Sequence, residues 1–84
     1  MKTFSGCTFI KGVQVHAFLA AKSQKRCAEL LNTSVNYIRN YWSSTGNALS
    51  QEIALAKPET IFYWKKGTEY SGKRENILEH RTKG

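Results

Sequence analysis

Aspartate is missing altogether, so all six acidic residues are glutamate; none precedes Glu29, and after it none occurs until Glu52. There is no close pair of carboxylates, no glycine-rich phosphate loop and no partner arrangement for a cysteine nucleophile. The residue sets on which hydrolytic, phosphoryl-transfer and covalent catalysis depend are therefore lacking. The chain reads as a binding protein rather than an enzyme, with His16 packed or solvated on a strand. Cys7 and Cys27 lack CxxC spacing, and His16 and His80 lack HxxxH spacing, which excludes a zinc site. Both thiols are expected to be reduced and buried as small hydrophobes, and no cofactor is expected. No apolar run approaches the roughly 18 residues of a membrane span, and no charged-then-apolar leader opens the sequence. The expectation is a soluble cytoplasmic protein with no membrane partner. With one proline and no Pro- or Ser-rich linker, 84 residues make a single domain whose two Trp, four Tyr and four Phe must supply much of the core.

What the chain has in excess is positive charge, thirteen Lys and Arg against six Glu for a net +7. Such an excess attracts polyanions and steers their approach. Lys2, Lys11, Lys22, Lys25 and Arg26 all precede the first acid, and the middle of the chain is nearly acid-free, which is where a phosphate-facing surface would be placed. A basic solubilising surface has the same composition.

Along the chain, residues 2–19 read as a β-hairpin. With Lys11 and Gly12 as its turn, Ile10 faces Val13, Thr8 faces Val15 and Phe4 faces Leu19, which collects a mostly apolar side at period two. Cys7, Phe9, His16 and Phe18 fall on the other side, and Ser5-Gly6 is a competing bend or bulge. Ser23 is the N-cap of a helix ending near Asn32, with Cys27, Leu30 and Leu31 on its apolar face. Ser34 caps a second helix through about Ser43, with Ile38, Tyr41 and Trp42 as the inward stripe. A third helix, residues 48–57, carries Leu49, Ile53 and Ala56 at helical spacing and ends at Pro58. Residues 60–66, TIFYWKK, read as a strand joining the hairpin. Residues 1–72 are thus the compact domain, and 73–84 read as a basic, mobile tail with one helical turn around Ile77 and Leu78.

The spacing within residues 24–43 is the informative part. Ala28 lets the second helix cross closely. Asn32, four residues on, sits where the backbone must turn with positive φ, which asparagine tolerates best after glycine. Ile38 and Tyr41 then point inward. This pattern resembles the helix-turn-helix of bacterial and phage transcription regulators, with asparagine in place of the usual glycine and Thr33 where an aliphatic residue is usual. The resemblance covers about a quarter of the chain. It implies that the helix after the turn enters the major groove of double-stranded DNA. Base contacts would come from Ser34, Asn36, Tyr37, Arg39, Asn40 and Ser43, with Arg39 suited to guanine, Asn36 and Asn40 to adenine, and Val35 or Tyr37 to a thymine methyl. Phosphate contacts would come from Lys22, Ser23, Gln24, Lys25 and Arg26 at the head of the first helix, and from Lys65, Lys66, Lys73 and Arg74 on a wing.

The expected fold is α+β and winged-helix-like: an N-terminal hairpin, the helix-turn-helix completed by a third helix, and a C-terminal strand closing a small antiparallel sheet. Two other functions remain open. One is a small interaction module or inhibitor, of phage type, that docks on a host protein through Tyr37, Tyr41, Trp42, Tyr63 or Trp64. The other is an RNA or single-strand binder, which would need the FYWKK aromatics exposed. Self-association into a homodimer is also open, although no heptad pattern is present.

Overall fold

The computed structural model describes residues 1–45, 47–68 and 73–80. It is an α+β domain built on a five-stranded antiparallel sheet. Strands β1 (Lys2–Ile10) and β2 (Val13–Ala21) pair along their whole length, with Ile10 opposite Val13, Thr8 opposite Val15 and Phe4 opposite Leu19, the register read from the alternation. Lys11 and Gly12 both take positive φ, 53° and 78°. That is the conformation a two-residue hairpin turn needs to match the strand twist. Ser5 and Gly6 do not form a bulge; both stay in the ladder.

Helices α1 (Gln24–Leu31) and α2 (Val35–Tyr41) follow. Ser23 Oγ accepts from the Arg26 N–H at 3.2 Å and Ser34 Oγ from the Tyr37 N–H at 3.2 Å, so both expected caps close their first turns. Between them Asn32 adopts φ 55°, ψ 48°, and the Thr33 N–H donates to the Ala28 carbonyl at 2.9 Å. The left-handed residue thus satisfies the last carbonyls of α1 as it reverses the chain. Helix α3 (Ala48–Ala56) is capped by the Asn47 side chain, which accepts from the Ser50 N–H.

Three elements differ from the sequence expectation. Helix α2 stops at Tyr41, and Trp42–Ser44 extends as strand β3 at the sheet edge beside β1. The strand expected over residues 60–66 is the shorter β4 (Ile61–Trp64). Ile77–His80, expected in a tail with a helical turn, forms strand β5 against β4, preceded by a 3-10 turn at Arg74–Asn76. The sheet runs β3-β1-β2-β4-β5. Of the expected tail, residues 81–84 lie outside the described residues, as do 69–72 of the expected wing turn.

The core has two layers because both faces of the sheet are covered. On one face Phe4, Ile10, Val15, Ala17, Leu19 and Ala21 pack with Cys27 and Ala28 of α1, Ile38 of α2, and Trp42 and Ile61. On the other, Phe18, Ala20, Phe62 and Trp64 pack with Ile53 and Ala54 of α3, and the Phe18 and Phe62 rings stack at 5.7 Å. Helix α3 therefore does not complete a three-helix core with α1 and α2; the sheet lies between them. The run of alanines at positions 17, 20 and 21, all fully buried, is what a strand needs when helices approach from both sides.

Candidate nucleic-acid interface

The α2 helix is held against the sheet by three anchors. Ile38 is fully buried between the layers. Trp42, 6% exposed, lies flat over Gly6, where an added Cβ would stand 2.5 Å from the indole. The third anchor is a carbonyl. Pairing of β3 with β1 stops at Gly6 opposite Trp42, and the next carbonyl outward, that of Cys7, accepts from the Tyr37 hydroxyl at 3.1 Å and the Trp42 Nε1–H at 3.3 Å. Side chains of the helix and its exit strand thus satisfy the backbone group left unpaired at the open edge.

This anchoring decides which expected base readers are free. Asn36, Arg39 and Asn40 are exposed on the outward side of α2, with Ser34 at its head. No acid occurs in the helix, and no carboxylate pairs with Arg39 among the described residues. Tyr37 is half-buried and its hydroxyl is committed to Cys7, which removes it from base reading. Ser43 is not on the helix at all but on β3, paired with Ser5. Tyr41, expected inward, is 70% exposed with its ring 5.0 Å from that of Tyr37. Helical periodicity places Ile38, Tyr41 and Trp42 on one stripe only while the helix continues. Once Trp42 turns into an extended conformation to cover Gly6, Tyr41 is left outside.

At the head of α1, Lys22, Ser23, Gln24 and Lys25 are exposed, although Ser23 Oγ is occupied by its cap bond. Arg26 is not a free phosphate ligand. Its Nε lies 2.8 Å from Glu59 Oε2, and its Nη1 3.4 Å from Glu29 Oε1. The hydrogen bond and charge of Glu59 hold the Arg26 guanidinium above its ordinary pKa. The Glu59 carboxyl is held below its own by the hydrogen bond from Arg26, against a smaller opposing effect of burial and with help from the charges of Arg26 and Lys22. Glu59, which takes φ 64° and donates its N–H to the Ala20 carbonyl, is brought to Arg26 by the turn after α3. The two are 33 positions apart, and nothing local in the sequence signals the pair.

Lys65, Lys66, Lys73 and Arg74 flank the loop of the β4–β5 hairpin and are exposed, with Arg74 3.6 Å from Glu52. The hairpin occupies the sheet edge opposite β3, so it does not flank α2 as a wing beside a recognition helix would. Lys11, at the tip of the first hairpin, is an exposed cation that the sequence reading did not assign to the site.

Of the thiols, Cys27 is buried as expected and burial pushes it up to about 12, whereas Cys7 is exposed. Phe62 and Trp64 are buried, so the FYWKK segment presents no row of stacking aromatics. Among the described residues no group of three or more His, Cys, Asp or Glu comes together to hold a metal, and no helix is long and apolar enough to cross a membrane. No family model, no curated protein and no solved structure matches this chain.

Proposed function

We propose that the chain binds double-stranded DNA as a small transcriptional regulator, laying the outward side of α2 in the major groove. The observation that carries this reading is that side itself. It is uncovered and acid-free, with Asn36, Arg39 and Asn40 exposed and Arg39 without a carboxylate partner among the described residues. Arg suits the guanine edge and Asn the adenine edge. The backbone amides at the head of α1, with Lys22 and Lys25, suit phosphate and would fix the register without reading sequence.

The test is fluorescence anisotropy on duplex DNA, single strands and RNA across a salt series. With Arg26 occupied by Glu59 and the β4–β5 cations on the far edge, Lys22 and Lys25 remain as phosphate-neutralising cations, for a log-log slope near roughly −1.8 on duplex DNA. Arg39→Ala is expected to cost about 1 to 3 kcal/mol on a selected site and to relax its selectivity. Lys25→Ala should weaken all sequences alike and flatten the slope by about 0.9. Equal losses on selected and random duplex would remove Arg39 from base reading, and no duplex binding at low salt would end the proposal.

Two exposed aromatic rings favour a second reading. Tyr41 at 70% and Phe9 at 69% exposure are the residue types protein interfaces use as anchors. A salt-independent protein partner lost on Tyr41→Ala or Phe9→Ala, with no response to nucleic acid, would move the function there.

A further inference from the structure

On the face of the sheet away from α1 and α2, a cleft of about 420 Å³ lies between the β1–β3 edge and the head of α3. Its floor is Ser5, Cys7 and His16, with Trp64 beneath. Ser43 and Tyr41 form one wall, and Asn47 and Ser50 at the start of α3 form the other. The volume falls within the range of small-molecule sites. The lining includes no Lys, Arg or Glu, although the chain carries thirteen Lys and Arg. Apart from His16, the described lining offers no side-chain cation to a phosphate or carboxylate, and it offers no carboxylate to a cation. What the walls offer is hydroxyls, each able to donate and accept, together with an amide and the exposed ring of Tyr41.

Thr45, in the same lining, supplies an independent sign. Its N–H donates to the Thr3 carbonyl at 3.2 Å and its carbonyl accepts from Gln51 Nε2, so its backbone is fixed. The residue is only 6% exposed, yet its Oγ1 has no partner among the described residues. The oxygen is covered as it stands, so a ligand in the cleft meets it only once the Thr45 side chain turns outward.

We infer that this cleft binds an uncharged nucleoside, its base against Tyr41 and its hydroxyls and base edge on the serine and threonine hydroxyls. Tyr41, the last residue of α2, reaches this cleft at the sheet edge, whereas Asn36, Arg39 and Asn40 are not in its lining, so the site does not depend on duplex binding. The base could arrive as a free nucleoside or as an unpaired residue of a nucleic acid.

The experiment is amide chemical-shift mapping of the full chain with adenosine in a phosphate-free buffer. Glucose and inorganic phosphate serve as comparators. Adenosine is expected to move the amides of residues 5–7, 16, 41–45 and 50 with a Kd of about 1 mM or tighter, while the comparators leave them in place. Tyr41→Ala, at an exposed position, should weaken binding at least about fivefold, the lower end of what a stacking ring contributes per base. Ser43→Phe, at an exposed edge position, should block the cleft and abolish the shifts while the rest of the spectrum is unchanged. A stronger response of the same amides to a short oligodeoxyadenylate would assign the base to a nucleic-acid strand, and a weaker one to a free nucleoside. The inference is overturned if adenosine moves nothing at about ten times that Kd, if both variants respond as the parent does, or if phosphate or glucose moves the same amides as strongly as adenosine.

Discussion

Gly6 is the position where one methyl group should do most damage. A Cβ built there stands 2.5 Å from Trp42 Cγ and 2.6 Å from Cδ1 and Cδ2. Carbon atoms rest at about 3.5 to 4.0 Å, so the indole would have to move by about 1 Å or more. It has little room, being 6% exposed and tied through Nε1 to the Cys7 carbonyl. Overpacking of this kind costs about 1 to 3 kcal/mol when the surroundings yield. Expelling the ring would forfeit the burial of some 150 to 250 Å² at about 25 cal/mol per Å², an upper bound of roughly 4 to 6 kcal/mol. Gly6→Ala should therefore lose about 2 to 4 kcal/mol, out of a total on the order of 4 to 13 kcal/mol for a domain of this length. Without the contact the sign would reverse, since alanine in a strand is better than glycine by about 0.5 to 1 kcal/mol. Urea denaturation followed by Trp fluorescence and circular dichroism reads the difference, a fall in midpoint of about 2 M or more at a slope near 1 kcal/mol per M. The double-mutant cycle isolates the contact. Trp42→Ala alone should cost about 3 to 5 kcal/mol, and Gly6→Ala in that background should stabilise by about 0.5 to 1 kcal/mol. A single variant within 0.5 kcal/mol of the parent (about 0.5 M in midpoint), or strict additivity in the cycle, would refute the packing argument.

Other positions make separate tests. Asn32 holds φ 55° at the turn, so Asn32→Gly should leave the melting temperature level or raise it, while Asn32→Val should lower stability by about 1 to 2 kcal/mol in a thermal melt. The Glu59 carboxyl is held low by Arg26, so its contribution to stability is present above the unfolded-state value of 4.5 and is lost as pH falls through the lower folded value. Glu59→Gln should flatten the acid limb of a stability-against-pH curve, and an unchanged limb would show the pair to be inert. With the buried Cys27 thiol pushed up to about 12 and Cys7 exposed, a thiol reagent at about pH 8 should titrate Cys7 alone in the native protein and both thiols in denaturant.

The parts of the fold that were legible in the sequence are those fixed by local rules. The hairpin register follows from alternation about a two-residue turn. The boundaries of α1 and the head of α2 follow from Ser23, Asn32 and Ser34, whose side chains and backbone act within four residues. What was missed is non-local. Strand β3 exists because Trp42 finds Gly6, 36 positions earlier, and that contact decides both the end of α2 and the exposure of Tyr41. Strand β5 is a short segment of mixed polarity that gains its shape only from pairing with β4. The withdrawal of Arg26 depends on Glu59, brought close by the turn after α3. In the candidate interface Asn36, Arg39 and Asn40 are exposed on the outward side of α2, a placement that needs only a helix face, whereas Tyr37, Ser43 and Arg26 are engaged by distant partners that no local pattern signals.

Placing the sheet between the two helical layers changes what supports α2. In a three-helix core the helix that reads DNA rests on another helix and is insulated from strands. Here α2 packs on α1 through Ile38 and is in addition fixed to the edge of β1, through a glycine with no side chain and a carbonyl with no strand partner. The phenol and indole that fill those two gaps come from α2 and from the residue that ends it, so the pose of the helix and the integrity of the β1–β3 edge are one structural variable. A perturbation at Gly6 or Cys7 is transmitted to Asn36, Arg39 and Asn40 across a single layer of contacts. One in α3 must first pass through the sheet, which is rigid because both of its faces are packed.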